Sequence, residues 1–99
     1  MKTTLNVILS ELAKLTKLSG SWARGEQHED SDIDLACTFK QLDKITQYLD
    51  KIDCKWESTC SGYITIPSSE LGVFIEISVL FPRYRKYKTV NVYGVIFKT

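Results

Sequence analysis

Apolar and polar side chains alternate through Asp32-Ile33-Asp34-Leu35-Ala36-Cys37-Thr38-Phe39. A period of two marks a half-buried strand, so Ile33 and Leu35 face one way and Asp32, Asp34 and Ala36 the other. This segment constrains the chain most, because it demands a core on one side and presents two carboxylates on the other. The elements around it can cover its apolar face. Leu5, Ile8, Leu9 and Leu12 fall at helical spacing between Thr3 and about Ala13. Leu42, Ile45, Leu49 and Ile52 do the same between Lys40 and Ile52. Residues 15–19 read as a short strand ended by Gly20, and residues 20–25 as a turn followed by a helical turn. Residues 26–31 read as a polar loop.

The second half reads as strands. Residues 55–58 and 63–66 flank Gly62 and suit a hairpin. Residues 73–81 form the strongest strand signal, rich in β-branched and aromatic side chains. Residues 90–97 read as one further strand with a bulge at Gly94. The expected class is α+β, a mixed β-sheet with helices packed on one face.

A length of 99 residues suits one compact domain spanning 1–99 and leaves no room for a second, helical domain. A core this small gains from a homo-oligomer or a partner chain. Net charge is +1, which points neither to nucleic acid nor to a membrane surface. No apolar run approaches the ~20 residues of a bilayer span. The start of the chain has the look of a signal peptide, but Glu11 and Lys14 interrupt it. Cys37, Cys54 and Cys60 are odd in number, and Cys54-x5-Cys60 lacks a second ligand pair for zinc. Reduced thiols and a cytoplasmic location are expected.

The chemistry concentrates in Gly20-Ser21-Trp22-Ala23-Arg24-Gly25 and Ser31-Asp32-Ile33-Asp34-Leu35. Carboxylates two apart on a strand share a face, and they repel unless a cation lies between them. Mg²⁺ is usually held by one or two carboxylates plus substrate phosphates. Gly20 lets a phosphate approach the backbone, and Ser21 either donates to that phosphate or caps the helical turn. Glu76 is an acidic residue inside the apolar run Phe74-Ile75-Glu76-Ile77-Ser78-Val79. It is solvated, paired with a lysine, or bound to a metal. Arg24 either contacts phosphate or braces the loop against Glu29 or Asp30. Trp22 suits packing better than base stacking, and His28 is not needed as a base.

The pattern Gly-Ser-x-Ala-Arg-Gly, five residues, then Ser-Asp-x-Asp-Leu resembles the DNA polymerase beta-like nucleotidyltransferase superfamily, and within it the minimal nucleotidyltransferase (MNT) and kanamycin nucleotidyltransferase-like groups. The match is continuous from Gly20 to Leu35. The resemblance implies the polymerase beta-like nucleotidyltransferase fold and transfer of a nucleoside monophosphate, AMP from ATP in the first instance. It implies that Gly20 and Ser21, with Arg24 beside them, bind the nucleotide phosphates. It implies that Asp32, Asp34 and a third carboxylate bind two Mg²⁺ ions, with Mn²⁺ as a substitute. The family usually has aspartate as that third residue, whereas this chain offers Glu76. Asp53, Glu57 and Glu70 lie less centrally in the strand pattern. Minimal relatives often serve as antitoxins that modify a HEPN-type toxin, which makes a protein hydroxyl the first candidate acceptor. The alternative is a non-catalytic nucleotide- or partner-binding module of the same fold. The run Arg83-Tyr84-Arg85-Lys86-Tyr87-Lys88 could contact nucleic acid, but a solvated connection between strands is the favoured reading.

Overall fold

The first helix begins where a side chain can cap it. Thr4 accepts a hydrogen bond from the Val7 amide at 3.4 Å, and α1 runs over Leu5–Leu15. This computed structural model describes residues 4–28, 30–80 and 88–99. Helix α1 outlasts the expected end near Ala13. Buried Thr16 then closes it by donating its hydroxyl to the Leu12 carbonyl at 2.7 Å. The strand that follows, β1, is therefore shorter than expected, Lys17–Ser19. Next come the helical turn α2 (Gly20–Arg24) and strand β2 (Ile33–Cys37). Helix α3 (Phe39–Lys51) starts on a capping box, with Gln41 N donating to Thr38 Oγ1 and Thr38 N donating to Gln41 Oε1.

Strands β3 (Glu57–Cys60) and β4 (Tyr63–Ile66) form the expected hairpin. A short helix that the pattern did not announce, α4 (Ser68–Leu71), precedes β5 (Ile75–Val79). Residues 81–87 lie outside the described region, so the reading of Phe81 as strand and of most of the basic run falls there. The expected single strand over residues 90–97 is two strands, β6 (Thr89–Val92) and β7 (Val95–Lys98). Tyr93 and Gly94 both have positive φ, +50° and +86°, so the chain reverses there rather than bulging.

Five strands form one mixed sheet in the order β1-β2-β5-β4-β3. β2 and β5 run parallel, and the other pairs are antiparallel. Register puts the apolar residues on one face: Leu18 opposite Leu35, Ile33 opposite Ile75, Leu35 opposite Ile77, and on the far side of β5 Ile66 opposite Ile75 and Ile64 opposite Ile77. These are buried together with Ile8, Leu9 and Leu12 of α1 and Leu42, Ile45 and Leu49 of α3. Burying such a side chain contributes about 1.5–3 kcal/mol each. Val92, Val95 and Phe97 of the β6–β7 hairpin join the same core. No helix among the described residues is long and apolar enough to cross a membrane.

Candidate functional site

Because side chains alternate, packing one face of the sheet forces the intervening residues onto the other. Ser19, Asp34, Glu76 and Thr65 are consecutive register partners across β1, β2, β5 and β4, and Glu57 on β3 extends the row to the sheet edge. Asp34 and Glu76 thus face each other on neighbouring parallel strands. Asp34 is half-buried, and its carboxyl is pushed up to about 6. Burial is the main cause. A hydrogen bond to Glu76 and the charges of Glu76 and Asp32 add to it, and Arg24 opposes it.

Gly20 closes one side of this pair. Its φ is +69°, and a Cβ there would run into the Asp34 carboxylate, coming within 2.9 Å of its Cγ. Only the absence of a side chain allows the backbone of α2 to lie against Asp34. Ser19 supports the approach by donating its hydroxyl to the Asp34 carbonyl at 3.2 Å. Gly25, with φ +72°, ends α2 in the left-handed region.

An open cleft of about 500 Å³ lies in front of α2, lined by Gly20, Ser21, Arg24, Asp32 and Asp34 together with the loop residues Glu26, His28, Asp30 and Ser31. Asp32 precedes the first residue of β2 and is exposed, whereas Asp34 is half-buried. Glu76 is not in the cleft lining and sits one strand beyond Asp34. A larger hollow, about 970 Å³, adjoins the cleft and shares Gly20 and Arg24 with it. Its described lining holds no aspartate or glutamate.

Arg24 pairs with Glu26, Nε to Oε2 at 3.0 Å, rather than with Asp30. Glu29 lies outside the described residues. Both partners are exposed, so this ion pair contributes little stability and leaves Arg24 able to exchange it for an anion. Trp22 packs on Tyr93, ring centroids 5.4 Å apart. His28 is part of the loop's own scaffold: its amide donates to Ser31 Oγ at 2.8 Å, and its Nδ1 accepts from the Asp30 amide at 3.3 Å. Ser31 is buried and ties the loop down just before Asp32. Ser31→Ala is expected to lower stability by about 1 kcal/mol, the size of one lost side-chain hydrogen bond. Urea unfolding would read this as a lower midpoint at unchanged slope.

Tyr63 was not singled out by the sequence pattern. It lies on the same face of β4 as Thr65, diagonal to Glu76, and burial and then its hydrogen bond to Glu76 push its phenol up. The signal was present in the alternation Tyr63-Ile64-Thr65-Ile66, but only pairing with β5 reveals what the polar face meets.

The donor set is all oxygen, which suits a hard divalent cation. Asp34 and Glu76 are mutually repelling carboxylates of the kind a cation relieves. Among the described residues, no three acidic, histidine or cysteine side chains converge as a ready-made metal cage. A cation here would take its remaining ligands from phosphate and water, as Mg²⁺ commonly does. Cys37 and Cys54 are buried and Cys60 exposed, all free thiols remote in chemistry from this set.

A family model described as a nucleotidyltransferase domain matches residues 5–90 of the chain. Comparison with curated proteins and with solved structures gives no match.

Proposed function

The chain belongs to the nucleotidyltransferase domain family, and from that premise we propose that it transfers AMP from ATP to an acceptor hydroxyl in a Mg²⁺-dependent reaction. The observation that carries this reading is the pair Asp34 and Glu76, in register on adjacent strands, with the Cβ-less Gly20 set against it. Gly20 and Ser21 bind the β- and γ-phosphates. Ser21 is suited to this, because it lines the cleft and its hydroxyl has no hydrogen-bond partner among the described residues. Arg24 supplies a positive charge at the cleft rim. Asp32, Asp34 and Glu76 would hold two Mg²⁺ ions. When bound, these would offset phosphate charge and lower the pKa of the acceptor hydroxyl.

Glu76 sits on the side of Asp34 away from the cleft, so we assign it to the acceptor side. There it takes up the hydroxyl proton as the acceptor oxygen bonds to the α-phosphorus and pyrophosphate leaves. Tyr63, diagonal to Glu76 on β4, is its neighbour on this face of the sheet. The 99 residues act as one catalytic domain. The acceptor surface comes from a second chain, which we take to be a HEPN-type toxin modified in the cytoplasm by this protein as its antitoxin. The non-catalytic alternative draws on one observation, the lack of a three-ligand cage among the described residues.

The test is incubation of the pure protein with α-³²P-ATP and Mg²⁺, with and without cell lysate, followed by gel electrophoresis. Label is expected on a protein band, and Glu76→Gln should reduce it by roughly 100-fold or more, the usual contribution of a positioned base. Absence of transfer from any NTP, with Mn²⁺ and lysate included, would instead support the binding module.

A further inference from the structure

The β6–β7 turn contains an anomaly. A two-residue hairpin whose central residues both have positive φ favours Asn, Asp or Gly at the first position. This chain places Tyr93 there, at φ +50°. A bulky side chain in the left-handed region is strained, and such strain persists only where surrounding contacts impose it.

Those contacts are specific. The Asn6 side-chain amide, from α1, donates to the Tyr93 carbonyl at 2.6 Å. Asn91 Oδ1 accepts from the Gly94 amide at 2.8 Å and closes the turn. The Tyr93 ring then lies 5.4 Å from the Trp22 ring, tilted by 54°, a favoured arrangement for an aromatic pair. Trp22 needs such a neighbour. Its indole N–H is enclosed without an acceptor among the described residues, so packing rather than a hydrogen bond sets its ring. The same hairpin touches α2 again where Lys88 Nζ donates to the Ala23 carbonyl at 3.4 Å.

α2 is five residues long, too short to hold its own geometry in water. Gly20 meets Asp34 at one end, while Trp22 and Ala23 are held by the hairpin. Ser21 and Arg24, which line the cleft, lie between and beside these contacts in sequence.

We propose that Tyr93 is a positioning residue for the nucleotide cleft: the turn accepts a strained tyrosine so that its ring, anchored through Asn6, sets the orientation of α2 and hence of Ser21 and Arg24. The link to nucleotide rests on the function proposed above, whereas the brace itself does not.

Two variants of the whole chain separate strain from ring. Tyr93→Asn suits the turn and removes the ring, and Tyr93→Phe keeps the ring. Tyr93→Asn is expected to fold with an unchanged or higher Tm. Its α2 amides should nonetheless exchange hydrogen faster, and the emission of Trp22, read in a Trp56→Phe background, should shift. Its KM for ATP should rise roughly tenfold with a smaller change in kcat, as expected when phosphate-binding groups are misplaced. Tyr93→Phe should match the parent in all four. Unaltered α2 exchange and Trp22 emission in Tyr93→Asn would overturn the brace. Altered exchange with unchanged ATP KM would overturn its role in the cleft. If the parent protein binds no ATP while exchange responds as described, the brace stands and the nucleotide reading falls.

Discussion

Asp34→Asn is expected to reduce nucleotidyl transfer by roughly a thousandfold or more and, at the same time, to make the metal-free protein more stable. The activity loss follows from removing a charge whose ion contributes several kcal/mol at the transition state, each ~1.4 kcal/mol being tenfold in rate. The gain in stability follows from the site's electrostatics. The Asp34 carboxyl is raised from 3.8 to about 6 in the folded protein, first by burial and then by Glu76. A raised acid binds its proton more tightly when folded. Stability is therefore highest below pH 4 as far as this group is concerned, falls as pH rises between about 4 and 6, and stays at the lower level at pH 7. The rise in pKa corresponds to about 3 kcal/mol. Partial exposure screens the charge, so about 1 kcal/mol is the working figure. For a domain of this size that is a Tm increase of roughly 4–8 °C for Asp34→Asn at pH 7. Thermal melts in EDTA and in Mg²⁺ would check it. The parent should gain Tm on Mg²⁺ addition and the variant should not. A variant that melts lower than the parent in EDTA would mean that Asp34 is structural rather than a strained ligand.

Gly20→Ala is expected to damage both stability and activity. The backbone there is left-handed, which costs an L-residue about 1–2 kcal/mol. The new methyl also collides with the Asp34 carboxylate. Together these should lower stability by about 2–4 kcal/mol. Activity should fall by roughly 100-fold or more, because either α2 or Asp34 must move by a sizeable fraction of an ångström. A double-mutant cycle divides the two causes. In an Asp34→Ala background the carboxylate is gone and only the 3.0 Å approach to the residue-34 Cβ remains, so Gly20→Ala should cost clearly less than in the parent. Equal penalties in both backgrounds would show that the close approach of α2 to Asp34 does not matter.

The sequence made several features legible because they are local. Helical and strand periods act over a few residues, so α1, α3, β2, β4 and β5 were found close to their observed positions, and the apolar face of β2 was assigned correctly. The Gly20–Leu35 motif pointed to the family that the domain match shows. Boundaries failed where a side chain had the final word, as when Thr16 bonded back to Leu12 and shortened β1. The strand over residues 90–97 failed because Tyr93 is a poor announcement of a tight turn. Its contacts with Asn6, from the opposite end of the chain, and with Trp22 explain how it is held there.

What the tertiary structure alone decided is which polar residues meet. Alternation said that Asp34 and Glu76 each oppose an apolar face. It could not say that they share one register row, since the pairing of β2 with β5 is a non-local choice made by burying Ile33, Leu35, Ile75 and Ile77 together. The pairing of β4 with β5 brought Tyr63 to Glu76, and the packing of the β6–β7 hairpin brought Tyr93 to Trp22. The local sequence thus supplied the groups, and the burial of the opposite face placed them side by side.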